Sequence, residues 1–191
     1  MKEIIHIAFG LYDKDGMYSK YVATTIISLF KNTKYSVCVH ILHDETLSEK
    51  RKNLLLDIAN KYDQLIEFHL ISIDETIRNL HKNVGMFYRL FIFEKCNVDK
   101  IIYLDGDILV TKDIYDLWKI DITDYYCAVV KDIKKTRENI INTNYYRSIG
   151  INYELYFNSG VIYFNCKLIK EKFNIRKEVK NFLKRTNMFQ C

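Results

Sequence analysis

Short apolar runs along the chain alternate with stretches whose apolar residues recur every three or four positions. The runs EIIHIAF (3–9), VCVHIL (37–42), IEFHLISI (66–73), KIIYLD (100–105), YCAVVKD (126–132) and VIYFN (161–165) predict β-strands. Between the first two, Val22, Ile26, Leu29 and Phe30 share one helical face; between the next two, Leu47, Leu54, Leu55, Ile58 and Tyr62 share another. Thr46 and Glu49 stand at capping-box spacing and predict the start of that second helix. Strand and helix in alternation predict right-handed crossovers over a parallel sheet, an α/β domain.

Sheets of this kind bind ligands beyond the carboxyl ends of their strands. Two polar features fall at that edge: the loop GLYDKDGMYSKY (10–21) after the first strand, and Asp105-Gly106-Asp107 at the end of the strand 100–105. Carboxylates are among the side chains least often buried without a partner, so two of them inside IIYLDGDILV call for a reason. Glycine between them lets the chain turn so that both carboxylates converge on a hard divalent cation, which could hold a diphosphate. A strand-end turn with two solvated aspartates is the alternative from these three residues.

Composition narrows the setting. The chain has 191 residues, 49% of them hydrophobic and 28% charged, which suits one globular domain over 1–191. It carries neither an apolar run of transmembrane length nor the apolar core of a signal peptide, so a cytoplasmic location is the expectation. The five cysteines are scattered without a C-x-x-C pair, which argues against a zinc site and for reduced, buried thiols. All five histidines lie within the first 81 residues, so metal chemistry would rest on carboxylates. The six glycines form neither G-x-G-x-x-G nor a P-loop. With a net charge of only +5, no nucleic-acid partner is expected. The basic stretch KEKFNIRKEVKNFLKR (170–185) places Phe173, Ile175, Val179, Phe182 and Leu183 on one stripe, predicting an amphipathic surface helix. Its basic face would alternatively suit peripheral contact with an anionic membrane surface.

Four blocks in order resemble retaining glycosyltransferases of family 8, the group containing glycogenin and the bacterial lipooligosaccharide galactosyltransferases. YLDGDILVTKDIYDLW (103–118) resembles the family's D-x-D region, and YDKDGMYSKYVATTIISLFKNT (12–33) its nucleotide-binding loop and first helix. MFYRLFIFEKC (86–96) is similar to the segment that offers a basic residue to the donor sugar, and YFNSGVIYFN (156–165) to the F-N-[AS]-G block. The resemblance implies a GT-A-type fold with a mixed, mostly parallel sheet flanked by helices. It also implies transfer of a hexose, glucose or galactose, from a UDP-sugar to a glycan, glycolipid or other hydroxyl acceptor, with Mn2+ or Mg2+. Carried over by residue, Asp105 and Asp107 would ligate the metal across Gly106, and Arg89 would bind the donor sugar or a phosphate oxygen. Asn158 would hydrogen-bond the sugar, with Ser159 and Gly160 forming the adjoining wall. The backbone of Ala8, Phe9 and Gly10, with Tyr18, would hold the uridine, and Asp132 would lie toward the acceptor.

The chain departs from the family twice. The aspartate that usually follows the first strand has no clean counterpart, leaving Asp13 or Asp15 as substitutes. Beyond the helix at 166–185 the family continues into a D-Q-D block and a distal histidine, whereas this sequence ends at Cys191, as the front part of a longer enzyme would. Two rivals remain at this stage. One is a non-catalytic nucleotide-sugar-binding module. The other is a haloacid-dehalogenase-type phosphatase, whose D-x-D normally continues into Gly-Thr where this chain has Ile108 and Leu109.

Overall fold

The computed structural model describes residues 3–73, 78, 83–131, 150, 152 and 157–185, with side chains to residue 182. In chain order the elements are β1 (Ile5–Leu11), α1 (Tyr18–Asn32), β2 (Val37–His43), α2 (Glu49–Lys61) and β3 (Leu65–Leu70). A 3-10 helix (Val84–Phe91) runs into the short α3 (Ile92–Lys95). Then follow β4 (Lys100–Leu104), α4 (Tyr115–Trp118), β5 (Cys127–Lys131), β6 (Phe157–Asn165), α5 (Cys166–Lys172) and α6 (Ile175–Arg185).

The described strands form one mixed sheet in the order β3-β2-β1-β4-β6-β5. β1 runs parallel to β2 and β4, and β2 parallel to β3, while β6 is antiparallel to both β4 and β5. This is the α/β architecture with the mixed, mostly parallel sheet expected from the sequence. Alternation along β1 sends Ile5, Ile7, Phe9 and Leu11 into the core beneath α1 and α2. Ala8 joins a second core, formed with the 3-10 helix, α3 and Cys166 of α5.

Helix α1 buries Val22, Ile26, Leu29 and Phe30, the face read from its periodicity. Helix α2 keeps the expected stripe at Leu55, Ile58 and Tyr62 and departs from it at Leu54. It buries Leu55 and Ala59, while Leu54 and Leu56 are exposed and Leu47 packs ahead of the helix. Its N-cap is Ser48, and the Thr46–Glu49 capping box does not form. Thr46 instead bridges two loops: its hydroxyl accepts the Asp13 N–H at 2.9 Å and donates to Asp44 Oδ1. A tertiary hydrogen bond to the β1–α1 loop has displaced a local cap.

Strand bounds also shift. β3 ends at Leu70, short of residue 73, and β6 starts at Phe157, ahead of residue 161, because Gly160 already pairs its carbonyl with Asp105. The basic stretch 170–185 is two helices, α5 and α6, separated at Phe173-Asn174. Phe173 is extended and rests on Tyr126 with ring centroids 5.1 Å apart. Among the described residues, no helix is long and apolar enough to cross a membrane.

The packed side of α1 and the open side of α2 can be checked together. Leu29→Ala should lower unfolding free energy by about 2–5 kcal/mol, as deletion of a packed leucine does. Leu54→Ala, on the exposed side of α2, should stay within about 0.5 kcal/mol of the wild type in the same urea titration.

Candidate active site

β4 carries its apolar run to Leu104 and then leaves the sheet at Asp105, whose N–H donates to the Gly160 carbonyl of β6 at 2.8 Å. Gly106 comes next and presses against α1. A Cβ at this position would stand 2.4 Å from Val22 Cγ2 and 3.1 Å from the Tyr18 ring, so the approach requires glycine. Polar residues of α1 then satisfy the turn's backbone one after another. The Tyr18 hydroxyl accepts the Gly106 N–H at 3.1 Å, and Thr25 Oγ1 lies 2.9 and 2.7 Å from the carbonyls of Gly106 and Ile108. Ser28 Oγ accepts from Val110 N at 2.9 Å, and Asn32 Nδ2 donates to the Val110 carbonyl at 2.8 Å. Tyr18, Val22, Thr25, Ser28 and Asn32 are spaced three and four apart, so they form one stripe on the helix, and residues 106–110 lie along it.

The Asp105 carboxylate is held through one of its oxygens. Its Oδ1 accepts from the Tyr103 hydroxyl at 3.0 Å and from Arg89 Nη2 at 3.1 Å. Burial raises the Tyr103 phenol far above its ordinary range, so the hydroxyl stays protonated and donates. Arg89 is fixed by more than this pair. Its Nε donates to the Met86 carbonyl at 3.0 Å, its Nη1 to the Ser159 carbonyl, and its guanidinium lies 4.4 Å over the Tyr103 ring. The Arg89 side chain is 16% exposed and that of Asp105 32%, so the pair is partly shielded and stronger than one on an open surface. Asp105 Oδ2 overlies Gly160, where a Cβ would be 2.9 Å away. The same absent Cβ would meet Asn158 Oδ1 at 3.0 Å, and that oxygen accepts the Gly160 N–H at 2.8 Å.

Arg89, Tyr103 and Asp105 open onto a cleft of about 790 Å3 at the carboxyl edge of β1 and β4, within the usual range for small-molecule sites; Gly106, Asn158 and Ser159 are not among the residues lining it. Gly10, Tyr18, Arg89, Asp105 and Asp107 of the sequence-predicted set line it. Ala8 and Phe9 do not: both are fully buried within β1, and Gly10 is the residue of that run which reaches the cleft. Ser159 contributes its backbone carbonyl to Arg89, and exposed Asn158 stands beside Gly160. Asp132, Tyr156 and Cys191 lie outside the described residues. The two candidate substitutes in the first loop divide. Asp15 lines the cleft, whereas Asp13 is buried and its Oδ1 accepts the Ser19 N–H at 2.9 Å in the first turn of α1.

Sequence reading missed Tyr12, Lys14, Asn83 and Tyr103 on the cleft wall. Tyr103 was recoverable, since strand alternation puts it on the face of Asp105 two residues on. Asn83 and Tyr12 carried no such signal, because the 3-10 helix that brings them together joins distant parts of the chain.

Residues 6–189 match the sequence profile of the family described as "Glycosyl transferase family 8". A lipopolysaccharide 1,2-glucosyltransferase of Escherichia coli is 30% identical over 177 residues, covering 87% of this chain and 49% of that protein. General stress protein A of Bacillus subtilis is 26% identical over 193 residues, covering 95% of this chain and 62% of that protein. In structure the fold is similar to the galactosyltransferase LgtC, solved with donor and acceptor sugar analogs. The TM-score is 0.79 at 22% identity, covering 97% of this chain and 65% of that one. The chain spans about half the length of the curated relatives it matches.

The contact between α1 and the acidic turn yields a prediction. Tyr18→Phe removes the acceptor of the Gly106 N–H and should cost about 1–3 kcal/mol of stability, the penalty of orphaning a shielded donor. Thermal unfolding of the two proteins under one condition measures it.

Proposed function

Because the chain belongs to glycosyltransferase family 8, we propose that its cleft binds a UDP-hexose. The hexose passes, with retention of anomeric configuration, to a hydroxyl of a glycan or glycolipid acceptor. The observation that carries this reading is the convergence of Asp105, Asp107 and Arg89 on one cleft at the carboxyl edge of the sheet. Retention, the UDP donor and the metal are proposals from the family, and glucose and galactose are the donors first in line.

The donor groups suit a hard divalent cation. Two carboxylates face the same cleft, and Asp105 Oδ2 is left over Gly160 while Oδ1 is engaged by Tyr103 and Arg89. Asp105 and Asp107 are therefore the residues that would hold Mn2+ or Mg2+. When bound, such an ion supplies charge neutralisation to the departing diphosphate. The chain's own groups do the positioning. Arg89, already oriented by Met86, Ser159 and the Tyr103 ring, presents a cation to a phosphate or sugar oxygen without having to be ordered first. Asn158, whose Oδ1 is engaged by Gly160, would offer its amide NH2 to a sugar hydroxyl. Gly10 and Tyr18 border the part of the cleft assigned to uridine. Asp132, the residue after β5, keeps its proposed place toward the acceptor, and the basic helix α6 a proposed contact with a membrane surface. A phosphatase with Asp105 as nucleophile fits less well, because one of its oxygens is committed to a guanidinium and a phenol.

Asp105→Asn and Asp107→Asn should each reduce Mn2+-dependent UDP binding from measurable to undetectable by calorimetry; Asp107→Asn should retain the melting temperature, whereas Asp105→Asn also breaks the pair with Arg89 and should lower it. Unchanged affinity in both variants would make the pair a solvated turn. Binding of UDP-hexose without any released UDP or transferred sugar would assign the chain to the non-catalytic module instead.

A further inference from the structure

A second constellation lies at the other end of the sheet. His6 on β1 and Cys38 and His40 on β2 face the same side, because the parallel register pairs His6 with Cys38 and Ala8 with His40. His6 Nδ1 is 2.9 Å from His40 Nε2, and the ligand atoms of His6, Cys38 and His40 all lie within 4.8 Å of one another. On the far side of His40, its Nδ1 stands 3.0 Å from His69 Nε2 and 3.3 Å from Glu67 Oε2, both on β3. Glu67 also stands against Cys38. His6 precedes Gly10 by four residues, so this group is roughly 13 Å along β1 from the acidic cleft.

We propose that His6 Nδ1, His40 Nε2 and Cys38 Sγ form a binding site for Zn2+, separate from the donor cleft. Two nitrogens and a sulfur are the borderline-soft set this ion prefers, unlike the all-oxygen pair at Asp105 and Asp107. Nitrogens on one tetrahedral Zn2+ sit roughly 3.3 Å apart, so the two rings need to part only slightly from their 2.9 Å contact. With Nε2 on the ion, His40 Nδ1 carries the ring hydrogen, and its neighbours there are His69 Nε2 at 3.0 Å and the Glu67 carboxylate at 3.3 Å, outer partners of the kind that orient metal-bound imidazoles. Burial keeps His40 neutral down to about 3 and lowers His6 as well, so both rings offer lone pairs. Burial pushes the Cys38 thiol up to about 12, so it binds only by surrendering its proton. On binding, that proton leaves to solvent, while each neutral ring keeps its one hydrogen on the nitrogen turned away from the ion, Nε2 of His6 and Nδ1 of His40. Ions would enter past β3, an edge strand whose Glu67 side chain is 57% exposed. The occupied site would tie β1 to β2 directly and to β3 through Glu67.

The scattered cysteines had argued against zinc, because no two share a local motif. Parallel pairing of strands assembles the ligands instead, and sequence spacing alone does not show it.

Co2+ titration of the chelator-stripped, 191-residue chain in nucleotide-free buffer tests the proposal. One Co2+ per chain should give a tetrahedral visible spectrum and a thiolate-to-cobalt charge-transfer band, both displaced by Zn2+. Cys38→Ala should remove that band. His6→Gln should weaken Zn2+ binding by at least tenfold, and Glu67→Gln by about 10–100-fold, the usual effect of losing an outer partner. The Asp105→Asn/Asp107→Asn double variant should retain the band. No charge-transfer band in the wild-type chain overturns the proposal, and this arm holds even if Cys38→Ala misfolds. A band that survives Cys38→Ala but disappears in Cys96→Ala overturns the ligand assignment, since His40, His69 and Cys96 form the competing group.

Discussion

A carboxylate at the end of a buried strand has to find partners, and at Asp105 that requirement organises the whole carboxyl edge of the sheet. Its Oδ1 is met by Tyr103 from its own strand and by Arg89 from the 3-10 helix. Arg89 in turn is anchored by carbonyls of Met86 and Ser159, so three separated parts of the chain depend on one ion pair. The antiparallel entry of β6 completes the arrangement, because only that direction sets Gly160 opposite Asp105 and brings Asn158 alongside. A side chain larger than glycine at residue 160 would occupy the space over the second carboxylate oxygen.

Helix α1 supplies the complementary constraint. Its apolar face packs on β1, β2 and the residues beyond β4, while its polar stripe takes over the hydrogen bonds of residues 106–110. Those residues have left the sheet and would otherwise carry unsatisfied backbone groups. The acidic turn is therefore hydrogen-bonded to α1 without any ligand, and an arrangement of that kind favours a site that must position charge. Donor binding and catalysis remain proposals built on this geometry and on membership of the family.

Much of this was legible in the residues. The alternation of strand and helix and the face of α1 are those of the fold, the four ordered blocks are those of the family, and the acidic turn does stand at a strand end. What could not be read followed from contacts between distant segments. Thr46 resembled a local cap, yet it bonds Asp13 across two loops. Leu54 fitted the helical stripe, yet it lies at the exposed margin of a face that buries Leu55 and Ala59. The backbone of Ala8 to Gly10 was read toward the uridine; Ala8 and Phe9 are buried within β1, and Gly10 is the one of the three that lines the cleft. The histidines and cysteines of β1, β2 and β3 looked unrelated, because lateral strand pairing leaves no periodic trace in one sequence.

The central claim is that Asp105 and Asp107 together hold a divalent cation against a nucleotide diphosphate in the cleft beside Arg89. Anomalous scattering at the manganese edge, from crystals grown with UDP and Mn2+, tests it most directly. The account predicts one strong peak bonded to carboxylate oxygens of both aspartates and to the diphosphate. A well-ordered UDP with no manganese peak between those carboxylates, or with the ion held elsewhere, would contradict it.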